Sequence, residues 1–407
     1  MSSWSDSVDE WRKVRLGEVA ADVTVGFVGP MASEYRDTGV PFLRSLNVRP
    51  HRIDMTDVKF IRPEFHRRLA KSALQPGDVV TVRTGKPGQS AVVPAELPEA
   101  NCSDLVITRP GPNLNSRWLS YYLNWVTDTH IAAHLVGAVQ QHFNVRSAQS
   151  LVLMLPDLQE QEAIAEVLGA LDEKIAANDR QIRLADELAC SIFSRSASSL
   201  EPADQNFDDV AEVGGGGTPK TSVEEYWGGD ILWATPTDVT ALPAPYLSKT
   251  ARTITEAGLS ACSSALYPEG SILMTSRATI GAFAMAQGPT AVNQGFIVVN
   301  AKISAFQWWL FHEMRSRVAD FLAYANGATF LELPRGRFKS LPVRLPDDDT
   351  VRSFNEAVGP LHALTASLVQ ENERLASTRD ELLPLMMSGR LRVRAIPNKI
   401  TVGRHAV

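Results

Sequence analysis

Residues 155–195 read LPDLQEQEAIAEVLGALDEKIAANDRQIRLADELACSIFSR. Apolar or small residues fall at Ile164, Leu168, Leu171, Ile175, Ile182, Ala185, Ala189 and Ile192, with Asn178 in the remaining slot. The steps alternate four and three, a heptad seam of period 3.5. Pro156 precedes the pattern, where a missing N–H costs nothing, and Asp157, Glu160 and Glu162 crowd the first turn, where carboxylates complement the helix dipole. About 35 helical residues at 1.5 Å each give a rod of roughly 50 Å. The pattern begins again at Leu345: Leu155-Pro156 recurs as Leu345-Pro346, and Phe354, Val358, Leu361, Leu368, Leu375 and Leu382 continue the seam. One amphipathic rod cannot bury its stripe alone, so two in one chain most simply bury each other as an antiparallel coiled coil. Polar entries at Asn178, Thr365, Asn372 and Arg379 would fix register at some cost in stability. The alternative is two helices packed separately on their own domains.

The bulk properties bound the rest. A chain of 407 residues, 44% hydrophobic and 21% charged, supports two to four globular units with full cores. Cys102, Cys190 and Cys262 are scattered without C-x-x-C spacing, so neither a zinc site nor a disulfide framework is indicated, and a reducing cytoplasm fits. The first residues are acidic and polar, and no apolar run approaches ~18 residues, which argues against secretion and membrane spanning. Net charge is −6, against an indiscriminate nucleic-acid coat; residues 151–200 hold 4 Lys/Arg against 9 Asp/Glu, and the preceding 150 residues hold 17 against 15. Any polyanion-binding surface is therefore local.

In order, the chain reads as an α+β protein: two mixed α/β domains alternating with two rods. Residues 1–154 carry short apolar runs (40–46, 77–85, 90–95, 104–110) between Gly/Pro turns, with helices expected over Glu64 to Lys71 and Asn115 to about Ala138. The first rod occupies 155–200, ending in the polar stretch 194–205. Residues 201–344 repeat the first domain: SALQPGDVVTVRTGKPG (72–88) matches SALYPEGSILMTSRATIG (264–281), Asn101 matches Asn293, and the aromatic helix recurs at 304–325. The second rod covers 345–389, and a basic tail, 390–407, reads as frayed. This is an internal duplication with a pseudo-two-fold relationship.

The paired LP-(x)-L-x-EQ-x-x-I-A-x-x-L-x-x-L-D-x-K-I rods, each after a domain of this kind, resemble the specificity subunit of Type I restriction-modification systems. The first rod matches at Leu155, Pro156, Leu158, Glu160, Gln161, Ile164, Ala165, Leu168, Leu171, Asp172 and Ile175, and the second domain carries family-like runs at 214–240 and 276–281. The second rod departs, with Thr350-Val351 for Glu-Gln and His362-Ala363-Leu364-Thr365 for Asp-x-Lys-Ile. The resemblance implies target-recognition domains on conserved spacer helices, acting on double-stranded DNA with two adenine methyltransferase subunits and, where present, restriction subunits. It implies no cofactor on this chain; S-adenosylmethionine, ATP and magnesium would serve the partners. The outward rod faces, including Gln161, Glu166, Asp172 and Lys174, would dock the methyltransferases.

Catalytic motifs fail on inspection. GGGGTPKT (214–221) nearly satisfies the P-loop pattern, but Pro219 replaces the last glycine and cannot donate an N–H. Pro156-Asp157 with Asp172-Glu173-Lys174 mimics a nuclease motif, yet Asp157 and Lys174 lie more than about 20 Å apart on one helix. There is no Pro-Pro dipeptide for an amine-gripping loop, and no H-x-E or H-E-x-x-H. The chain reads as a non-catalytic subunit.

Sequence readout needs donor/acceptor forks at base edges and cations at phosphates. In the first domain Arg44, Asn47, Arg83, Lys86, Gln89, Gln140, Gln141 and His142 lie beside Gly/Pro turns. In the second, Lys220, Thr235, Thr237, Ser276, Arg277, Thr279, Asn293, Gln294 and Asn326 occupy corresponding places, with Arg83 and Arg277 approximately aligned. Two such domains at opposite ends of antiparallel rods would read a split, asymmetric site whose spacer the rods measure, each DNA turn being ~34 Å. A coiled-coil scaffold with protein-binding domains is the alternative that the acidic net charge supports.

Overall fold

The structure, a computed structural model, describes residues 11–134, 143–326 and 331–393. It divides into two compact units: residues up to Lys174 with those from Leu375 onward, and Ile175–Arg374. Each holds one mixed α/β domain and part of both long helices. Among the described residues no helix is long and apolar enough to cross a membrane.

In the first unit, β1 (Ala20–Val25), β3 (Val79–Val82), β4 (Ser90–Val92) and β6 (Leu105–Pro110) form an antiparallel sheet in the order β4-β3-β6-β1. A second sheet runs Tyr35–Arg36, Lys59–Ile61, β2 (Val40–Leu43), β5 (Ala100–Cys102), Ala73–Leu74, and its β2–β5 pair is parallel, with Asn101 opposite Phe42. All four residues of β3 are buried, as a strand covered on both faces requires. Helix α1 (Ser116–His134) packs Trp118, Leu119, Tyr122 and Leu123 against this core and against Ile164 and Leu168 of the first long helix.

The second unit repeats the plan. β7 (Ala211–Gly214), β9 (Ile272–Thr275), β10 (Phe283–Ala286) and β12 (Phe296–Ala301) follow the order β7-β12-β9-β10, extended by Tyr246–Leu247. β8 (Trp227–Ala234) and β11 (Thr290–Val292) form the parallel pair, with Trp233 opposite Ala291. The helix expected over 304–325 is broken: α3 (Gln307–Ser316) ends at Arg317, and a short helix follows over Val318–Ala323. Arg317 leaves helical geometry at φ −115°, ψ 20° while its guanidinium donates to Glu313 at 3.2 Å and to the Pro342 carbonyl at 2.5 Å.

The long helices, α2 (Leu158–Ala197) and α4 (Asp348–Met387), are 40 residues each, or about 60 Å at 1.5 Å per residue. They pack together antiparallel. In the first unit Ile164 and Leu168 meet Leu382, Leu383, Met386 and Met387; in the second Ala189, Phe193 and Ala197 meet Val351, Phe354 and Val358. Ile182 and Leu368 are also buried, whereas Leu171, Ile175, Ile192, Leu361, Leu375 and Leu382 are half-buried. Asn178, fully buried, donates to Glu371 and Asn372 at 2.8 Å each, and Asn372 donates to Asp179 at 2.9 Å. This is a side-chain lock on register that bonds the Asn178 amide N–H groups and leaves its Oδ1 buried without a partner. Thr365 instead donates back to the Leu361 carbonyl within its own helix. The start of the tail is tied down rather than frayed: Arg392 pairs with Glu160 at 3.1 Å and lies over Trp11. The remaining tail cations, Arg394, Lys399 and Arg404, fall outside the described residues.

Candidate nucleic-acid interface

In both units the carboxyl ends of the corresponding strands converge. In the first, the Leu43 carbonyl accepts Ser103 N–H at 2.9 Å, Gly26 N–H donates to Leu105, and Arg83 reaches Asp104. In the second, Asn293 N–H donates to Ala234 at 3.0 Å, Ser276 N–H to Gly295 at 2.8 Å, and Gly217 N–H to Val292 at 3.1 Å. Segments far apart in sequence are thereby gathered at one end of each domain.

At that end each unit carries a six-residue loop on one backbone frame, 83–88 (RTGKPG) and 276–281 (SRATIG). Val82 N–H donates to Gln89 and Gly88 N–H to Val82; Thr275 N–H donates to Ala282 and Gly281 N–H to Thr275. Left-handed residues stand at equivalent places, Gly85 (φ 86°) with Ala278 (φ 60°) and Gly88 (φ 93°) with Gly281 (φ 87°). A Cβ on Gly88 would lie 2.2 Å from Thr127, and one on Gly281 2.6 Å from Val318, so both positions also need glycine for space. The frame corrects the alignment by one residue: Arg83 corresponds to Ser276, and Arg277 to Thr84. Likewise Asn293, at the end of β11, corresponds to Ser103, not to Asn101, which is buried inside β5 and bonded to Ser72 at 2.7 Å.

The candidate residues sort by what already holds them. Lys86, Lys220 and Thr279 are exposed at loop positions, Thr237 is exposed in the short helix Pro236–Thr240, and Gln89 is half-buried with its carbonyl in the frame. Gln294 is exposed, its Oε1 accepting from Thr218 at 2.7 Å, which leaves the amide N–H groups to face outward partners. Three arginines are held by carboxylates: Arg44 by Asp57 at 2.8 Å, Arg83 by Asp104, and Arg277 by Glu332 at 2.9 Å. Asn326 is exposed and exchanges backbone bonds with the same Glu332.

Others are structural. Asn47 is buried, accepting from Arg44 N–H at 3.0 Å and donating to the Asp54 carbonyl at 2.9 Å, so it holds its own turn and does not face a groove. Thr235 caps the helix Pro236–Thr240 through Asp238. Ser276 is buried between Gly295 and Leu333, and the Asn293 side chain accepts from Gly295 N–H at 2.8 Å. Gln140, Gln141 and His142 fall outside the described residues. The hairpin Val48–Arg49 with Arg52–Ile53 adds cations that turn composition alone did not single out, Arg49 and Arg52. The signal was present in Arg49-Pro50-His51-Arg52, a turn crowded with base.

The motifs that mimic catalysis have structural explanations. A Cβ at Gly216 would sit 1.8 Å from the Val292 carbonyl, so the glycine run serves close backbone packing. Asp157 caps α2 by accepting from Glu160 N–H at 2.7 Å, and Asp172 is taken by Arg379 at 2.7 Å. Among the described residues no cluster of three or more His, Cys, Asp or Glu side chains could hold a metal ion.

Residues 204–353, the second unit's domain and the start of α4, match the family model described as "Type I restriction modification DNA specificity domain". The second unit's domain is thus similar to the Type I restriction-modification DNA specificity domain. The chain is 34% identical over 176 residues to the Type I restriction enzyme MjaIX specificity subunit of Methanocaldococcus jannaschii, a match covering 43% of this chain and 41% of that protein. It thus spans less than half of that relative. It is 20% identical over 432 residues to the putative type I restriction enzyme MjaX specificity subunit of the same organism, covering 95% and 97% of the two chains. The crystal structure of the Type-I restriction-modification S subunit from M. genitalium shares the fold, with a TM-score of 0.58 at 14% identity over 95% of this chain and 98% of that one.

Proposed function

We propose that this chain is the sequence-reading subunit of a Type I restriction-modification enzyme, binding a split, asymmetric DNA site and directing partner subunits to it. The observation that carries the reading is the repeated loop frame: one backbone geometry, at one end of each domain, presenting Thr84 and Lys86 in one copy and Arg277 and Thr279 in the other. A constant frame with different donors and acceptors suits recognition of two unlike half-sites. The antiparallel pair of long helices supplies the ruler. The partners are two adenine methyltransferase subunits, which bring S-adenosylmethionine, and restriction subunits using ATP and magnesium; this chain supplies recognition and no chemistry, in the cytoplasm.

The test is genome-wide mapping of methylated adenines in cells carrying the neighbouring methyltransferase, with and without this chain. A bipartite motif that disappears without the chain is the expected result. Methylation unchanged by its loss would overturn the reading and leave a protein-binding scaffold as the account.

A further inference from the structure

Each α/β domain meets the long helices through three side chains in mutual contact, fully buried in the second unit and partly so in the first, and the two sets are chemically unlike. In the first unit His51 lies over Tyr121 with ring centroids 4.3 Å apart, Tyr121 donates its hydroxyl to Asp172, and Arg379 donates to the other oxygen of Asp172 at 2.7 Å. In the second, the Tyr246 hydroxyl meets His362 Nδ1 at 2.5 Å, and His362 Nε2 meets His312 Nε2 at 3.0 Å. Tyr121 and His312 each stand one turn beyond a fully buried tryptophan, Trp118 or Trp309, and Asp172 and His362 each follow the matching seam residue, Leu171 or Leu361. The third members differ in origin: His51 comes from the hairpin Val48–Ile53, its N–H bonded to Ser90 of β4, and Tyr246 from the strand Tyr246–Leu247 that pairs in parallel with β10.

The pairings are not interchangeable. The second set closes with neutral groups alone: the Tyr246 O–H donates to Nδ1 of His362, whose Nε2–H donates to the lone pair of His312. The first set closes on a carboxylate, with a cation beside it. An imidazole at position 172 would put a neutral ring where Arg379 now meets a carboxylate; a carboxylate at 362 would face His312, with the Arg315–Asp186 pair (2.6 and 2.8 Å) alongside. His51 also holds a left-handed conformation, φ 66°, in which a side chain persists only where its surroundings fix it.

We propose that His51–Tyr121–Asp172 and Tyr246–His312–His362 are keyed joints, sets of positioning residues that lock each domain to the helix pair and match each domain to its own place on it. If the domains read DNA, the joints set the angle at which each loop frame is presented; that consequence rests on the proposed function, whereas the joints do not, and they are testable without DNA.

The test is amide hydrogen exchange of the full chain in two single and two double variants. Asp172→His should speed exchange over Ser116–Val126 and the 48–53 hairpin by about tenfold, and His362→Asp should do the same over Gln307–Ser316 and 244–248, each without effect on the other unit. Each double variant rebuilds the other joint's pair, Tyr121→His with Asp172→His, and His312→Tyr with His362→Asp. Recovery to within about threefold of the original protein in at least one double is the expected result, and general loss of packing would not produce it. Unchanged exchange in the singles, or doubles as fast as or less folded than their singles in both units, would overturn the proposal.

Discussion

Gly85 and Ala278 occupy one position in one frame, and the comparison sets a scale for substitutions there. Ala278 shows that a Cβ is accommodated, and no atom lies within 4 Å of a Cβ built on Gly85. Gly85→Ala should therefore cost only the left-handed penalty, about 1–2 kcal/mol. Gly88→Ala carries that penalty and a collision with Thr127, worth about 1–3 kcal/mol more. Urea unfolding of the two variants checks the order; equal losses would mean that the Thr127 contact yields freely. At Arg277 the prediction concerns readout. Removing it should relax discrimination at one base position by about 1–3 kcal/mol, seen as one degenerate letter in the methylation motif, with the other half-site intact. Single residues are also where sequence reading is weakest. Asn47 and Ser276 look like loop polar groups, and only their bonds, to Arg44 and Asp54 within its own turn for one and to the distant Gly295 and Leu333 for the other, reveal them as buried braces.

The long helices are the most legible elements, because a heptad seam is a local pattern and each rod repeats it. Their observed spans, Leu158–Ala197 and Asp348–Met387, begin two or three residues inside the Leu-Pro pairs, where Asp157 and Asp347 accept the first N–H groups. The break at Arg317 was not legible, since nothing in 304–325 marks it; it follows from a bond to Pro342, a residue outside the segment. Two predictions belong to the rods. Asn178→Ala removes both bonds to α4 and should cost about 1–3 kcal/mol, measured by chemical denaturation. Deleting one heptad from each helix at facing positions shortens the pair by about 10 Å. The methylation motif should then keep both half-sites and lose spacer bases; an unaltered spacer would refute the ruler.

For the molecule as a whole, acid is the expected weakness. Burial holds His51 and His362 down to about 4 and His312 to about 3, so all three are neutral in the folded chain at pH 7. The unfolded value is about 6.5, above each folded one, so the stabilisation is complete above that pH and is withdrawn as pH falls from about 6.5 toward 4. Unfolding free energy should drop between pH 7 and 5 by up to about 1.4 kcal/mol per pH unit for each histidine, and a flat profile would show that the imidazoles take up protons in place. The duplication was legible from sequence at the level of element order. The exact correspondence was not: one inserted residue between β11 and β12 relative to β5 and β6 shifts the frame, and only strand pairing shows where.

The shared loop frame also bears on how such a chain diverges. Because positions 84, 86, 277 and 279 project from a backbone held by bonds among their neighbours, they can be rewritten one letter at a time without disturbing the fold that carries them. On the proposed function, a lineage could therefore alter one word of its recognition sequence while the other word stayed fixed. New specificities would arise by half-steps, each leaving a working protein.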